Sequence, residues 1–465
     1  MPKKPPKPRQ PKLRSKNSAR TKEKTSLKPK SAKNSVKHTV ERVKLANGAE
    51  GLLIDVADAQ VMTFEFNFRA GEYLVDPAKW ETPHLMEHIL LGANKLHPKA
   101  RIFQAEFEKN GAYNNASTGV YDITYEAECA AFEWERILEL MLLSISQPLF
   151  LDEEFDAEMG NVREELNGRA NNHFRHLSLA MRKYCGYQGM TDRERLKILQ
   201  NNTKKDIEAH YKRTHTTSNM RFVFAGSIKG HKATIIRMLE EMELAKGRGR
   251  LPLPLEEPIA RTKPLYLRNQ SVKNLYFIMD TFHLQKLDED EWDAGQLINT
   301  MLTETLYSRI LGSAREKGLV YSMSSGFNQM TSNVSWWFGA QIMPQNAKPL
   351  FEIIIRELNA VREGEIVEAD IDAAKQYMLG RYQRSGQTVG GTAAGYTNRF
   401  YFEDEIDDYY ALPERIKAVT KTKIVKTTEL MFQDKTWAIG FLGSAGKPMA
   451  DDLHEQISKL WQDKI

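Results

Sequence analysis

Two histidines four residues apart, with a glutamate beside the second, form the stretch best placed to do chemistry: His84-Leu85-Met86-Glu87-His88. On a helix, positions i and i+4 share a face, so both imidazoles can reach one ion. A zinc hydrolase needs two such nitrogen ligands, an open position for water, and a carboxylate to take the water's proton. Glu87 would be that general base, lying next to the ligands without being one. Helix signals surround the motif. Thr82 reads as the N-cap, Pro83 falls in the first turn, and Gly92 ends the segment. Histidine pairs of this kind also arise on ordinary helices, so a metal site requires a third protein ligand elsewhere.

The segment Glu158 to Leu166 offers that ligand. Phe155, Met159, Val162 and Leu166 recur at helical spacing and predict a buried stripe. At about 100° per residue, Glu158 and Glu165 border the stripe, whereas Glu164 points nearly opposite. Glu164 therefore reads as a solvated charge. Glu165 reads either as another charge on a solvated face or as an inward-turned ligand.

H-x-x-E-H followed about seventy residues later by E-x(6)-E resembles the pitrilysin family of peptidases, whose reversed motif marks the inverzincins. The resemblance implies zinc held by His84, His88 and Glu165, with Glu87 as general base and Glu158 supporting the site. Asn115-Ala116-Ser117-Thr118, with Tyr125 beyond, is similar to the family's edge strand, where Asn115 and Ala116 would pair with bound peptide. Asp206, Tyr211, Asn219-Met220 and Gly226 resemble the close of its first domain. Arg315-Glu316-Lys317-Gly318-Leu319-Val320-Tyr321 resembles its second-domain segment, from which Tyr321 would reach the scissile region. The likeness covers nearly everything after the first forty residues.

Two departures bear on it. Glu81, Thr82 and Pro83 stand where the family often has glycine, which alters the start of the helix but removes no chemical group. Arg315 and Tyr321 are one residue closer than usual, which leaves open whether Arg315 touches substrate. The resemblance implies a zinc endopeptidase acting on unfolded peptides, working as a homodimer or as a heterodimer with a related chain. The competing expectation is a scaffold or partner subunit that keeps the fold without activity.

Composition narrows the field. At 465 residues the chain can form two or three domains, and 41% hydrophobic content suits a globular protein. No stretch approaches the roughly 20 apolar residues of a membrane-spanning helix. Cys129 and Cys185 are the only cysteines, too few for a disulfide framework or a thiolate metal site, and a reducing compartment is the default. The net charge of +5 divides unevenly. Residues 1–38 hold 14 Lys or Arg against one acid, Glu23, leaving 52 basic and 60 acidic residues, a net −8, in the rest.

This basic tail is too poor in large apolar residues to fold alone. It has no apolar core for a secretory signal, and lysine and proline replace the Arg-rich amphipathic pattern of a mitochondrial presequence. The cytoplasm is the expected location, with the mitochondrial matrix as the alternative. A nucleic-acid tether is conceivable on charge grounds. An unstructured extension is the simpler reading, so neither nucleic acid nor membrane is an expected partner.

Beyond the tail the chain reads as a tandem repeat. Met62, Phe64, Phe66 and Phe68 alternate on one face of an expected strand. The apolar runs ending in Gly226-Ser227 and Gly443-Ser444 lie 217 residues apart, and the breaker-rich stretch from Gly247 to Pro264 separates two similar halves. The expected organisation is a tail (1–38), a zinc-binding domain (39–245), a linker (246–264) and a homologous domain without metal (265–465). Each domain is α+β, a mainly antiparallel sheet packed with helices. The same offset puts Met301 and Thr305 over His84 and His88, with Glu304 over Glu87.

Other clusters point to less. His173 and His176 lack a flanking carboxylate and read as helix surface. The stretch from Val389 to Gly395 has no lysine placed for phosphate, and reads as a turn or close helix packing.

Overall fold

Met62, Phe64, Phe66 and Phe68 are all fully buried on one face of strand β3 (Val61–Phe68), as the period-two pattern predicts. In the computed structural model, residues 38–462 are described; apart from His38, the tail lies outside them. β3 belongs to a six-stranded sheet with β1 (His38–Lys44), β2 (Glu50–Val56), β4 (Tyr113–Thr118), β5 (Ile123–Ala130) and β6 (Met220–Gly226). Its order is β1-β2-β6-β3-β5-β4.

A second sheet contains β7 (Leu265–Arg268), β8 (Leu275–His283), β9 (Met323–Gln329), β10 (Val334–Ile342) and β11 (Thr436–Gly443), in the order β7-β11-β8-β10-β9. Removing β1 makes the two orders superimposable. In each, one pair is parallel, β2 with β6 and β7 with β11, and the others are antiparallel. The repeated glycines have a steric cause. A Cβ on Gly226 would sit 2.7 Å from the Val61 carbonyl oxygen, and one on Gly443 would sit 2.5 Å from that of Asn274. Both halves end their central strand where only glycine fits.

Helices repeat as well. Asp152–Arg169 and Glu368–Ser385 are both 18 residues long, and His173–Tyr184 is matched by Val389–Glu403. The last two cross over. Leu177 and Met181 of the first half pack against Ile278, Phe282, Ala438 and Leu442 on the second sheet. Val389, Ala393, Tyr396 and Phe400 of the second half pack against Leu52, Ile54, Val223 and Ala225 on the first. The glycine-rich stretch is thus the start of a packed helix, capped by Thr388, whose hydroxyl accepts from the Gly391 amide.

No strand or helix is formed between Glu240 and Leu265, yet this segment is tied to both halves. Arg250 donates to the Asn219 carbonyl at 2.7 Å, and the Arg261 amide to the Trp437 carbonyl at 3.2 Å. Both cysteines are buried and unpaired. Among the described residues no helix is long and apolar enough to cross a membrane.

Candidate metal centre

The motif helix is Thr82–Leu90, and its side chains are buried except that of His88, which is half-buried. Thr82 is not the N-cap. It is the first helical residue, and its hydroxyl donates to Asn202 at 2.9 Å. Glu81 occupies the cap position without capping, because its carboxylate is engaged elsewhere. One oxygen lies 3.0 Å from His84 Nδ1, and Arg195 clasps both oxygens, with Nη2 at 2.8 Å.

Facing this helix is Asp152–Arg169, whose Val162 and Leu166 are buried and whose Phe155 and Met159 pack partly against the same core. That packing turns Glu158 and Glu165 inward and leaves Glu164 exposed. His88 Nδ1 donates to Glu158 Oε2 at 2.8 Å, and Asn161 holds that same oxygen at 3.1 Å. With Nδ1 of each histidine committed to a carboxylate, the Nε2 lone pairs are left for a common target.

Three atoms converge there. Glu165 Oε2 is 3.1 Å from His84 Nε2 and 3.8 Å from His88 Nε2, and the ligand atoms of all three residues lie within 4.8 Å of one another. Ligands about 2.1 Å from a tetrahedral ion are separated by roughly 3.4 Å, so this spacing fits a metal. Glu165 Oε2 is also shielded from solvent and faces only these imidazoles, an arrangement that favours a cation, proton or metal, between them. The other oxygen of Glu165 pairs with Arg169.

Electrostatics agree with a cation-seeking centre. Burial pulls the His84 pKa down, but the Glu165 and Glu81 carboxylates outweigh it and raise it to about 9. The His84 imidazole, working against burial, holds Glu165 down at about 2. Burial alone would raise the Glu81 pKa, yet His84 and Arg195 bring it to about 2. The Glu158 carboxyl is lowered chiefly by its bond to His88. A positive charge between His84 and Glu165 is favoured, whether a proton or a metal ion supplies it.

Glu87 is buried beside the ligands, and Thr118 Oγ1 donates to its Oε2 at 2.7 Å. Thr118 ends β4, which pairs only with β5 and forms the edge of the sheet. Asn115 and Ala116 lie on this edge strand, and Asn115 Nδ2 donates to Glu126 at 3.2 Å. The edge strand and the base are therefore directly joined. Tyr125 lies on the neighbouring strand, its hydroxyl 3.0 Å from His215 Nε2.

Arg315 and Tyr321 are not brought to this centre by the contacts they make. The guanidinium lies 4.5 Å over the Tyr321 ring and donates to its carbonyl, and Tyr321 is 79% exposed. They share a shallow pocket with Asn274, Gln341 and Asn346, all from the second half. The second half's counterpart to the metal centre is different in kind. Glu304, which matches Glu87, pairs at 2.7 Å with Arg381, which matches Glu165 in the repeated 18-residue helix. A guanidinium stands where the first half has the Glu165 carboxylate.

Sequence reasoning missed the Glu81–Arg195 pair. Glu81 stood one turn before His84, at i−3, and was open to notice, but Arg195 is 114 residues away and nothing local points to it. Both are buried, and a buried ion pair broken on one side costs about 3–5 kcal/mol. Arg195→Met is accordingly expected to lower the denaturation midpoint. Glu81→Gln, which keeps the volume, is expected to weaken metal binding about 10- to 100-fold, as loss of a ligand's orienting partner does. Chelator competition measures the second effect; an unchanged metal affinity in Glu81→Gln would show that Glu81 has no hold on the site.

Comparisons with known proteins bear on the family and the fold. Residues 79–193 match the family described as insulinase (peptidase family M16), and residues 201–378 match the peptidase M16 inactive domain. No curated protein matches the chain. A solved protease from Helicobacter pylori is 18% identical, with 88% of this chain and 99% of that chain covered and a TM-score of 0.76. A peptidase M16 inactive domain from Pseudomonas fluorescens is 16% identical, covering 87% and 98%, with a TM-score of 0.75. A putative M16-like peptidase from Alicyclobacillus acidocaldarius is 17% identical, covering 87% and 98%, with a TM-score of 0.72. At these identities the structures speak for the fold, and with the two family matches they lead to one conclusion: the chain is a relative of the pitrilysin peptidases, family M16.

Proposed function

We propose that this chain is a zinc-dependent endopeptidase that hydrolyses unfolded peptides. The observation that carries the reading is the convergence of His84 Nε2, His88 Nε2 and Glu165 Oε2 beside the buried carboxylate of Glu87. Zinc bound there would polarise the peptide carbonyl and lower the pKa of water toward about 7. Nitrogen and carboxylate ligands of this type suit zinc, and three protein ligands leave a position open for chemistry. Glu87 takes a proton from water at its carboxylate and returns it to the leaving amine. Thr118 holds that carboxylate in place through its hydroxyl. Asn115 and Ala116 align the peptide as a strand added to the free edge of β4, so that main-chain hydrogen bonds supply much of the affinity.

We assign Tyr321 to the scissile region, with Arg315 beside it. Within one chain their contacts stay in the second half, so this role calls for a pairing of two chains, identical or related. The division into a metal-bearing domain at 39–245 and a metal-free one at 265–465 fits the Glu304–Arg381 pair. Two unpaired buried cysteines suit the cytoplasm.

The test is metal analysis of the purified protein together with cleavage of a quenched generic peptide. The expected result is about one zinc per chain and cleavage that a chelator abolishes and zinc restores. In the same assay Tyr321→Phe is expected to lower turnover with zinc content unchanged. Absence of chelator-sensitive cleavage in a zinc-loaded protein would favour a non-catalytic scaffold, a reading to which the inactive-domain match of residues 201–378 lends some weight.

A further inference from the structure

Between the two halves lies a cavity of about 710 Å³, within the size range of ligand pockets. Its walls come from both: Tyr121 and Arg182 from the first, Asp280, Trp292, Phe327 and Trp337 from the second. Five charged side chains line it, and four are paired. Arg182 donates to the Gln188 carbonyl, the Tyr121 hydroxyl and Glu256; Lys286 pairs with Glu403 at 3.5 Å; Glu304 pairs with Arg381. Asp280 has no cation within 4 Å among the described residues, and its Oδ1 accepts from Ser335 Oγ at 2.7 Å. Burial pushes its carboxyl up to about 7, against the Ser335 bond and the Arg182 charge.

The surroundings of Asp280 specify what would complete it. Trp337 is its cross-strand neighbour on β10, and Gly326 is the next residue in that row on β9. A Cβ on Gly326 would be 2.7 Å from the Trp337 Nε1, so the indole lies across the glycine and spreads over the sheet beside the carboxylate. Trp292 and Phe327, with centroids 5.7 Å apart, line the cavity from the other face of the sheet, so Trp337 is the aromatic side chain in the row of Asp280. An anion beside an aromatic face attracts an organic cation, which gains charge pairing and cation–π contact together. A divalent metal would find one carboxylate where it needs several oxygens. An anion would find Arg182 already occupied.

We propose that this cavity is a binding site for a primary ammonium group, with Asp280 as its counter-ion and Trp337 as its aromatic wall. Resting on the peptidase reading, the inference names a feature of the substrate: an amine carried by the peptide, on a lysine side chain or at a free N-terminus. Tyr121 is three residues beyond Thr118, the end of the edge strand, so the cavity adjoins the strand proposed to carry the peptide.

The test is calorimetric titration of the full-length Glu87→Gln protein, which is not expected to consume the probe. Three probes are compared: a peptide blocked at both ends with one lysine, its twin with norleucine in place of lysine, and the norleucine peptide with a free N-terminus. At least one amine-bearing peptide is expected to bind about tenfold or more tighter than the blocked norleucine twin, and the winner identifies the source of the amine. Adding Asp280→Asn, nearly isosteric, is expected to erase that difference. Trp337→Leu is expected to reduce it by about threefold or more, and carries the same comparison should the Asp280 variant fail to fold. Equal binding of all three peptides, or a preference that survives both substitutions, would overturn the proposal. A wild-type protein that cleaves no peptide would bring down the peptidase reading and leave this titration readable. Loss of amine preference in an active peptidase would bring down only this site.

Discussion

Glu87→Gln is expected to keep bound metal and to lose at least about 10²-fold in turnover. Glutamine has nearly the same size and can still accept the Thr118 hydroxyl bond seen at 2.7 Å, so the edge strand and the motif helix keep their packing. What it cannot do is take a proton at neutral pH, and a positioned general base contributes about 10²- to 10⁴-fold. Metal content should match wild type, because Glu87 is not among the three converging groups. Parallel measurement of zinc and initial rate separates the outcomes. A variant that cleaves at the wild-type rate would remove Glu87 from the mechanism, and one that lacks metal would make it a structural support of the site.

The second large effect is a ranking of three glutamates on one helix. Glu165→Gln should lose both metal and activity, since Oε2 is the buried atom toward which both imidazoles point. Glu158→Gln should retain metal with an affinity lowered about 10- to 100-fold, because its carboxylate orients His88 through Nδ1 and touches no metal position itself. Glu164→Gln should behave as wild type, as its side chain is exposed. Metal content of the three purified proteins decides the order. A metal-free Glu164 variant beside a metal-loaded Glu165 variant would reverse the assignment of the third ligand.

Much of this is legible in the sequence, for reasons particular to each feature. The strand from Val61 to Phe68 announces itself because a sheet with one buried face demands alternation, and the four apolar residues are the four that end up inside. The inward edge of the Asp152–Arg169 helix follows from the stripe that buries Val162 and Leu166, which fixes where Glu158 and Glu165 must lie. The repeat shows through its glycines because a backbone carbonyl excludes any Cβ at both positions.

Where local preference competes with a distant partner, the sequence misleads. Threonine is a good N-cap and glutamate is not, so Thr82 looked like the start of the helix. The cap position falls instead on Glu81, whose carboxylate is drawn to Arg195 and His84, and Thr82 becomes the first helical residue. The crossing of His173–Tyr184 and Val389–Glu403 was invisible for a related reason. An amphipathic stripe reports that a face must be covered and says nothing about which sheet will cover it.

That crossing has a consequence for how a peptide could enter. Each half lends a helix to the other's sheet, so swinging the halves apart like the leaves of a book would strip Leu177 and Met181 from one core and Tyr396 and Phe400 from the other at the same time. Such an opening would pay twice in exposed apolar surface, and the intervening segment, hydrogen-bonded to both sides, adds its own resistance. The crossed helices thus tie the two halves together at two separate cores. On the proposed peptidase reading, a peptide would reach the inner faces of the halves where two chains meet, and not through a hinge inside one of them.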